Sequence, residues 1–158
     1  MTPVQKSPAR APLDARRASR PDSRVSYLDV QLPLPPKQLS PNATCHWAAK
    51  ARATRLYRQA CWAAFQQAKP KGWTQVPIEI DVSYRCSAKA IGYAPKDIGN
   101  AISSLKAAVD AMQDAGVIPN DSKKWLAWGQ VSLITRKTDP AWLANGDGVT
   151  VTIRRAWL

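Results

Sequence analysis

The 158-residue sequence is poor in the residues on which several common kinds of site depend. It has one histidine, His46, and three cysteines without a C-x-x-C spacing, so we expect neither a zinc site nor a disulfide framework. No apolar run approaches the ~20 residues of a membrane-spanning helix, and no apolar signal-peptide segment follows the basic N-terminus. We therefore expect no membrane partner and a reducing compartment, the cytoplasm.

Acidic residues are also scarce. The chain has 11 acidic residues against 23 lysines and arginines, which gives a formal net charge of +12. A surplus of this size on a small protein favours a polyanionic partner, of which nucleic acid is the commonest. The alternative is a net charge that only keeps the protein in solution.

The charge and composition divide the chain into a tail and one domain. Residues 1–24 are rich in proline, serine, alanine and arginine, a composition that predicts a flexible basic tail. Residues 25–158 have the length and apolar content of a single domain with a buried core.

Hydrophobic periodicity predicts the elements of that domain. We expect four strands, near Leu28–Leu34, Val76–Arg85, Leu126–Thr135 and Val149–Arg154. We expect one helix from Cys45 to Gln67 and another from Ile98 or Asn100 to Ala115, with Gly116 as its stop. A turn-rich stretch with Asp139-Pro140 and Asn145-Gly146 is expected between the last two strands. This order predicts a two-layer α+β domain, a mixed sheet covered by two helices.

The first predicted helix mixes basic and aromatic residues. They are Lys50, Arg52, Arg55 and Arg58 with Trp47, Tyr57, Trp62 and Phe65. The aromatic spacing favours a buried helix face over platforms for base stacking. The basic residues either contact phosphate or form a solvated face, and the spacing does not decide between the two.

Acidic residues stand at both ends of the second predicted helix. Asp97 precedes it and Asp121 follows it, and carboxylates of this kind can hold the Mg²⁺ that phosphodiester hydrolysis uses. Lys106, four residues before Asp110, can stabilise developing negative charge or orient a water. Each residue also has a plain alternative. Asp97 can be an N-cap, Asp121 a turn residue, and Lys106 with Asp110 a surface pair.

Three runs of this region together resemble a known family. They are Lys96-Asp97-Ile98-Gly99-Asn100, Leu105-Lys106-Ala107-Ala108-Val109-Asp110-Ala111-Met112, and Asp114-Ala115-Gly116-Val117-Ile118-Pro119-Asn120-Asp121-Ser122. They resemble the signature of the RusA family of Holliday junction resolvases, roughly D-x-D-N, K-A-x-x-D-A-L and A-G-V-x-x-D-D. Leu32-Pro33-Leu34-Pro35-Pro36, Leu39-Ser40-Pro41-Asn42 and the closing strand pair are similar too, so the resemblance covers about residues 27–155.

The resemblance implies a homodimeric, Mg²⁺-dependent endonuclease that binds four-way DNA junctions and cuts paired strands symmetrically. It puts the catalytic residues at Asp97, Lys106 and Asp121, and the metal ligands at Asp97, Asp121 and Asn120. The helical aspartate of the family falls on Asp110. We expect DNA contacts from six basic residues: Arg52, Arg55, Lys89, Lys96, Lys123 and Lys124.

Two positions depart from the family pattern. Gly99 stands where the family has its second acid, and Asn120 stands where it has the first acid of the D-D pair. Asparagine keeps one neutral oxygen and glycine offers none, so Mg²⁺ binding should be weaker than in the family. One hypothesis is an active resolvase that uses Asp97 and Asp121. A second is a catalytically impaired relative that binds branched DNA without cutting it, and a third is a basic nucleic-acid-binding module unrelated to junctions.

Overall fold

The strands and helices form one mixed sheet with helices packed on it. The computed structural model describes residues 27–68, 76–88, 90–135 and 138–156. The strands are β1 (Tyr27–Leu32), β2 (Ile78–Arg85), β3 (Leu126–Ile134) and β4 (Gly148–Arg155). The helices are α1 (Trp47–Ala68), α2 (Ile98–Ser104), α3 (Lys106–Asp114) and α4 (Pro140–Asn145), and one 3₁₀ turn covers Lys37–Leu39. The tail expected at residues 1–24 and the predicted DNA contact Lys89 lie outside the described residues.

The sheet order is β1-β4-β2-β3, with β4 antiparallel to both of its neighbours and β2 parallel to β3. A parallel pair needs a crossover connection, and α2 with α3 supplies it between β2 and β3. The α+β class and the mixed sheet are therefore confirmed. In the described part of the chain, no helix is both long and apolar enough to span a membrane.

The core lies where the apolar side of the strands meets α1 and α3. The alternating residues Ile78, Ile80, Val82 and Tyr84 of β2 are all buried, as their period of two predicts. α3 contributes five buried residues, among them Met112, and its flank packs against α1. This packing holds α3 in place, and the candidate site is built on that helix.

The second predicted helix is broken at Leu105. The Leu105 N–H donates to the carbonyl of Ile102, three residues back, at 3.1 Å. The φ and ψ of Leu105, −92° and 5°, are not helical. Before the break, the Ser103 and Ser104 hydroxyls donate to the Gly99 and Ala101 carbonyls, at 2.9 and 2.7 Å. Such side-chain bonds compete with the helical pattern, which explains why one predicted helix becomes α2 and α3.

The turn-rich connection predicted before β4 contains a short helix, α4. The Asp139 side chain caps it by accepting from the Ala141 N–H at 2.9 Å, and Pro140 occupies its first turn. Gly146, with φ of 67°, ends it. An acidic cap, a proline at the first position and a glycine past the end are helix signals, so the prediction of turns alone was wrong.

α1 also differs from its prediction. Tyr57 and Phe65 are buried as expected, but Trp47 is 76% exposed and Trp62 is 42% exposed, so the interpretation of all four aromatics as core was wrong. For Trp47 the reason is length, whereas Trp62 directly follows the buried Cys61 and so lies on a different face of the helix. α1 has 22 residues and spans about 33 Å, whereas α3, against which it packs, has nine residues and spans about 13 Å. The first turns of α1 therefore extend beyond the core.

Arg85 is a buried cation on the polar side of the sheet, with 1% of its surface exposed. Its guanidinium donates to the Gly146 carbonyl at 2.8 Å, to the Gln31 side chain at 3.0 Å and to the Thr150 hydroxyl. Burial lowers the pKa of Arg85, and the nearby Asp147 carboxylate acts in the opposite direction. These bonds attach the end of the α4 segment to β1, β2 and β4.

Candidate active site

Asp97 begins α2 as its N-cap. Its backbone is extended, and its carboxylate accepts from the Asn100 N–H at 2.8 Å and from the Asn100 side-chain amide at 2.9 Å. The N-cap alternative is therefore confirmed as the local geometry. The side chain is also exposed, so the cap leaves the carboxylate accessible to solvent.

Gly99, which stands where the family has its second acid, lies beside the Asp97 carboxylate. A Cβ built on Gly99 would be 3.3 Å from Asp97 Oδ1, with no other atom outside the glycine's own surroundings within 4 Å. The backbone of Gly99 is not in the left-handed region, so it can carry a side chain. A side chain at position 99 would thus begin beside the Asp97 carboxylate.

A tight turn after α3 brings Asp121 back to that helix. Gly116 has φ of 74°, its N–H bonds to the Gln113 carbonyl at 2.9 Å, and the Val117 N–H bonds to the Met112 carbonyl at 3.1 Å. This paired pattern is the Schellman motif, which ends a helix and reverses the chain. Val117 and the next residue are buried, so the reversed segment is attached to the core.

Lys106 lies between two carboxylates as a result. Its Nζ donates to Asp110 Oδ1 and to Asp121 Oδ2, each at 2.8 Å. The ion pair of Lys106 with Asp110 that the spacing predicts is therefore present. Lys106 forms a second ion pair with Asp121, which lies 15 positions further along the chain. Asp110 and then Asp121 raise the pKa of Lys106, and Lys106 lowers the pKa of Asp121. The Lys106 ammonium and the Asp121 carboxylate therefore hold opposite charges at neutral pH.

A second cation extends this arrangement into α1. Arg58 donates two hydrogen bonds to Asp114, at 2.5 and 2.8 Å, and its guanidinium is 3.9 Å from Asp110. Arg58 lowers the pKa of Asp114. Charges therefore alternate from Asp121 through Lys106, Asp110 and Arg58 to Asp114. These pairs are exposed or half-exposed and add little to folding stability, and the two that Lys106 makes orient its ammonium.

Sequence reasoning did not assign Arg58 and Asp114 to this site. A signal for Asp114 exists, because it lies four residues after Asp110, which lies four residues after Lys106, so all three share one flank of the helix. No comparable signal exists for Arg58, whose role depends on how α1 packs against α3.

Asn120 takes part in the loop that carries Asp121. Its Oδ1 accepts from the Ser122 N–H at 3.1 Å, an arrangement typical of asparagine in turns. The one oxygen that Asn120 could offer to a metal therefore already has a backbone partner.

The described residues fit an open magnesium site with few protein ligands, and not a site in which three or more protein side chains surround the metal. Within the described ranges, no group of three or more His, Cys, Asp and Glu side chains is arranged to hold a metal. The Asp97 carboxylate accepts from Asn100 and the Asp121 carboxylate accepts from Lys106, so no shared hydrogen-bond partner among the described residues joins the two predicted ligands. Mg²⁺ is, however, often held by one or two carboxylates with water and substrate phosphate completing the shell. The exposed Asp97 carboxylate fits a site of that open kind.

Five predicted DNA contacts fall on described residues, and all five side chains are exposed: Arg52, Arg55, Lys96, Lys123 and Lys124. Lys96 directly precedes Asp97, and the two later lysines directly follow the loop of Asp121. The Nζ of Lys124 is 5.1 Å from the centre of the Trp125 ring, a cation–π distance. Positive charge thus flanks both candidate acids.

Comparison with known protein families and with curated proteins finds no match to this chain. The resemblance to RusA resolvases therefore depends on the motifs quoted above and stays a prediction.

Proposed function

We propose that this protein is a Mg²⁺-dependent endonuclease that cuts four-way or branched DNA in recombination and repair, in the manner of the RusA family. We also propose that it acts as a homodimer in the cytoplasm. One observation carries the proposal. Lys106, the residue that the resemblance assigns as the catalytic lysine, donates at 2.8 Å to Asp121, which the resemblance assigns as the final acid.

Hydrolysis of a phosphodiester places extra negative charge on the phosphate in the transition state. Lys106 is 61% exposed, so its ammonium can meet a phosphate oxygen, while Asp110 and Asp121 hold it in position. Asp97 would hold Mg²⁺ through its carboxylate. When bound, Mg²⁺ neutralises phosphate charge and lowers the pKa of a bound water. The flanking lysines would hold the DNA backbone across the site.

The second candidate is a relative that binds branched DNA without cutting it. Positions 99 and 120 both lack a carboxylate, which favours this candidate. A metal held mainly by Asp97 would bind weakly, because affinity for hard cations rises with the number and charge of the oxygen ligands.

Parallel binding and cleavage measurements with the full chain separate the candidates. A four-way junction and a linear duplex of the same sequence are tested with and without Mg²⁺, against wild-type protein and Asp97→Asn. The proposal expects tighter binding to the junction and Mg²⁺-dependent nicking that Asp97→Asn removes while junction binding survives. Junction binding without nicking selects the non-cleaving relative. Equal affinity for junction and duplex at matched salt selects a general nucleic-acid-binding module, since phosphate contacts confer no preference for structure.

A further inference from the structure

The start of α1 carries an exposed face that includes Trp47, a residue that the proposed function does not use. Trp47 lies at its first turn, and a surface groove of about 520 Å³ continues from it along the helix. The groove is lined by Trp47, Lys50, Ala51, Thr54, Arg55 and Arg58. These positions recur every three or four residues, so they form one strip along a single helix face. We call these six residues the α1 strip, which is about 16 Å long.

The charge on this helix has one sign. α1 carries Lys50, Arg52, Arg55 and Arg58 and has no acidic residue among its 22 positions. Arg58 is engaged with Asp114, but neither Lys50 nor Arg55 forms an ion pair with any residue in the described ranges. Both side chains are exposed, so two cations beside Trp47 are available to an anionic ligand.

The structure also holds the start of the strip in a defined conformation. The His46 Nδ1 accepts from the Ala48 N–H at 3.2 Å, and the His46 carbonyl accepts from the Lys50 N–H at 3.1 Å. The His46 ring lies 5.6 Å from the Trp47 ring, tilted by 35°. Trp47 therefore stands on a capped helix turn with most of its surface open to solvent.

We propose that the α1 strip binds an unpaired stretch of DNA, with a base stacked on Trp47 and the flanking phosphates on Lys50 and Arg55. Aromatic rings interleaved with cations are the recurring means of holding single strands, because every base has a face that can stack and every linkage carries a charge. In duplex DNA the bases are stacked on one another, so a duplex offers only its phosphates. This proposal goes beyond the endonuclease and needs neither Mg²⁺ nor cleavage.

Exposed aromatic surface can also serve association with a second copy of the chain. The positive charge of the α1 strip argues against a second copy of the chain as the partner of this surface. Two α1 strips placed face to face would bring the Lys50 and Arg55 side chains of both copies together, and α1 has no acidic residue to compensate them. Like charges in contact oppose association, whereas a polyanion is attracted.

The test measures binding of the full chain to three labelled probes without Mg²⁺: an oligothymidylate of about 12 nucleotides, an abasic strand of equal length and a duplex. We expect the oligothymidylate to bind about tenfold more tightly than the abasic strand, which has the same phosphates but no bases. Trp47→Leu should remove this difference. Trp62→Leu is the matched control, an exposed tryptophan of the same helix outside the groove, and should retain it.

Equal binding of the oligothymidylate and the abasic strand by the wild type would overturn the proposal. A loss of equal size in Trp47→Leu and Trp62→Leu would also overturn it. If Trp47→Leu instead turns a dimer into a monomer, the strip is a contact between copies and the proposal is wrong. These results are independent of junction cleavage. Oligothymidylate binding can persist when nicking is absent, so failure of one proposal is distinguishable from failure of the other.

Discussion

Two cations of this protein have opposite surroundings. Arg85 is buried on the polar side of the sheet and bonded to the neutral oxygens of Gly146, Gln31 and Thr150. Lys106 is exposed on α3 and bonded to two carboxylates. The first joins three strands and the α4 segment, whereas the second joins only a helix and a loop.

The difference separates a structural cation from one that can act on a ligand. Removing Arg85 takes the guanidinium donor from the half-buried Gly146 carbonyl and from the buried Thr150 hydroxyl, and these lost bonds are not fully replaced by water. Removing Lys106 exposes two carboxylates that water can solvate, so folding should change little. A ligand phosphate can reach Lys106, which is 61% exposed, but not Arg85. We therefore expect stability and activity to depend on different residues.

The largest expected effect is on stability. Arg85→Met should lower the free energy of unfolding by about 3 kcal/mol, because it takes the guanidinium donor from the Gly146 carbonyl and from the buried Thr150 hydroxyl. Urea denaturation followed by circular dichroism measures it.

Arg55→Met is the control for this change. It removes an exposed arginine of α1, and its unfolding free energy should stay within about 0.5 kcal/mol of the wild type. If the Arg85 variant does not fold, Thr150→Val, which removes one acceptor of Arg85 and the hydroxyl that donates to Gln31, should still cost about 1 kcal/mol. If both Arg85→Met and Thr150→Val unfold at the same urea midpoint as the wild type, the structural role of Arg85 is refuted.

The next effect is on cleavage. Lys106→Met should reduce the rate of Mg²⁺-dependent junction nicking about a hundredfold, as expected for loss of one group that stabilises transition-state charge. Its unfolding free energy should change by no more than about 1 kcal/mol. Single-turnover nicking and urea denaturation of the same preparation measure both quantities.

Lys37→Met is the matched control, since Lys37 is an exposed lysine in the 3₁₀ turn, on a different segment from α3. It should leave the nicking rate unchanged. A Lys106→Met variant that nicks at the wild-type rate would contradict the catalytic assignment. A Lys106→Met variant that loses as much stability as Arg85→Met would show that Lys106 is a structural cation too.

A smaller effect is a gain of activity. Gly99→Asp should raise nicking at limiting Mg²⁺ about tenfold, because the new side chain starts 3.3 Å from the Asp97 carboxylate and adds a second oxygen ligand there. The Mg²⁺ concentration for half-maximal nicking should fall. Gly99→Asn, of equal size and without the charge, is the control. An equal effect of both substitutions, or of neither, would count against a metal ligand at Asp97.

The smallest expected effect is on the pKa of Asp121. Lys106 holds the pKa of Asp121 below the ordinary aspartate value of about 3.9, so the stabilising contact is complete above that pH and is lost as pH falls through the lower folded value. Carboxyl NMR shifts should show Asp121 titrating below an ordinary aspartate. In Lys106→Met its midpoint should return toward the ordinary value, and an unchanged midpoint would show that the contact is absent in solution.

Local patterns predicted much of the fold. The alternation in β2, the glycine that ends α3, the cap at Asp97 and the pair of Lys106 with Asp110 all depend on neighbours within about four residues, and all are found. The helix α4 was also encoded locally, by Asp139, Pro140 and Gly146, but its signals resemble those of turns.

Features that depend on packing could not be predicted. The contact of Lys106 with Asp121 requires the chain reversal at Gly116 and the burial of the segment that follows. The exposure of Trp47 depends on how far α1 extends past α3, and periodicity alone places Trp47 and Phe65 on the same face. Arg58 reaches Asp114 only because the two helices pack side by side.

The most direct test of the central claim is a time course of four-way junction cleavage started with Mg²⁺, with each of the four strands labelled in turn. The proposed function predicts nicks at symmetric positions in one opposing pair of strands, no nicking without Mg²⁺ and none in linear duplex. Absence of nicks at high protein concentration, despite bound junction, would contradict it. Equal nicking of junction and duplex would contradict it as well.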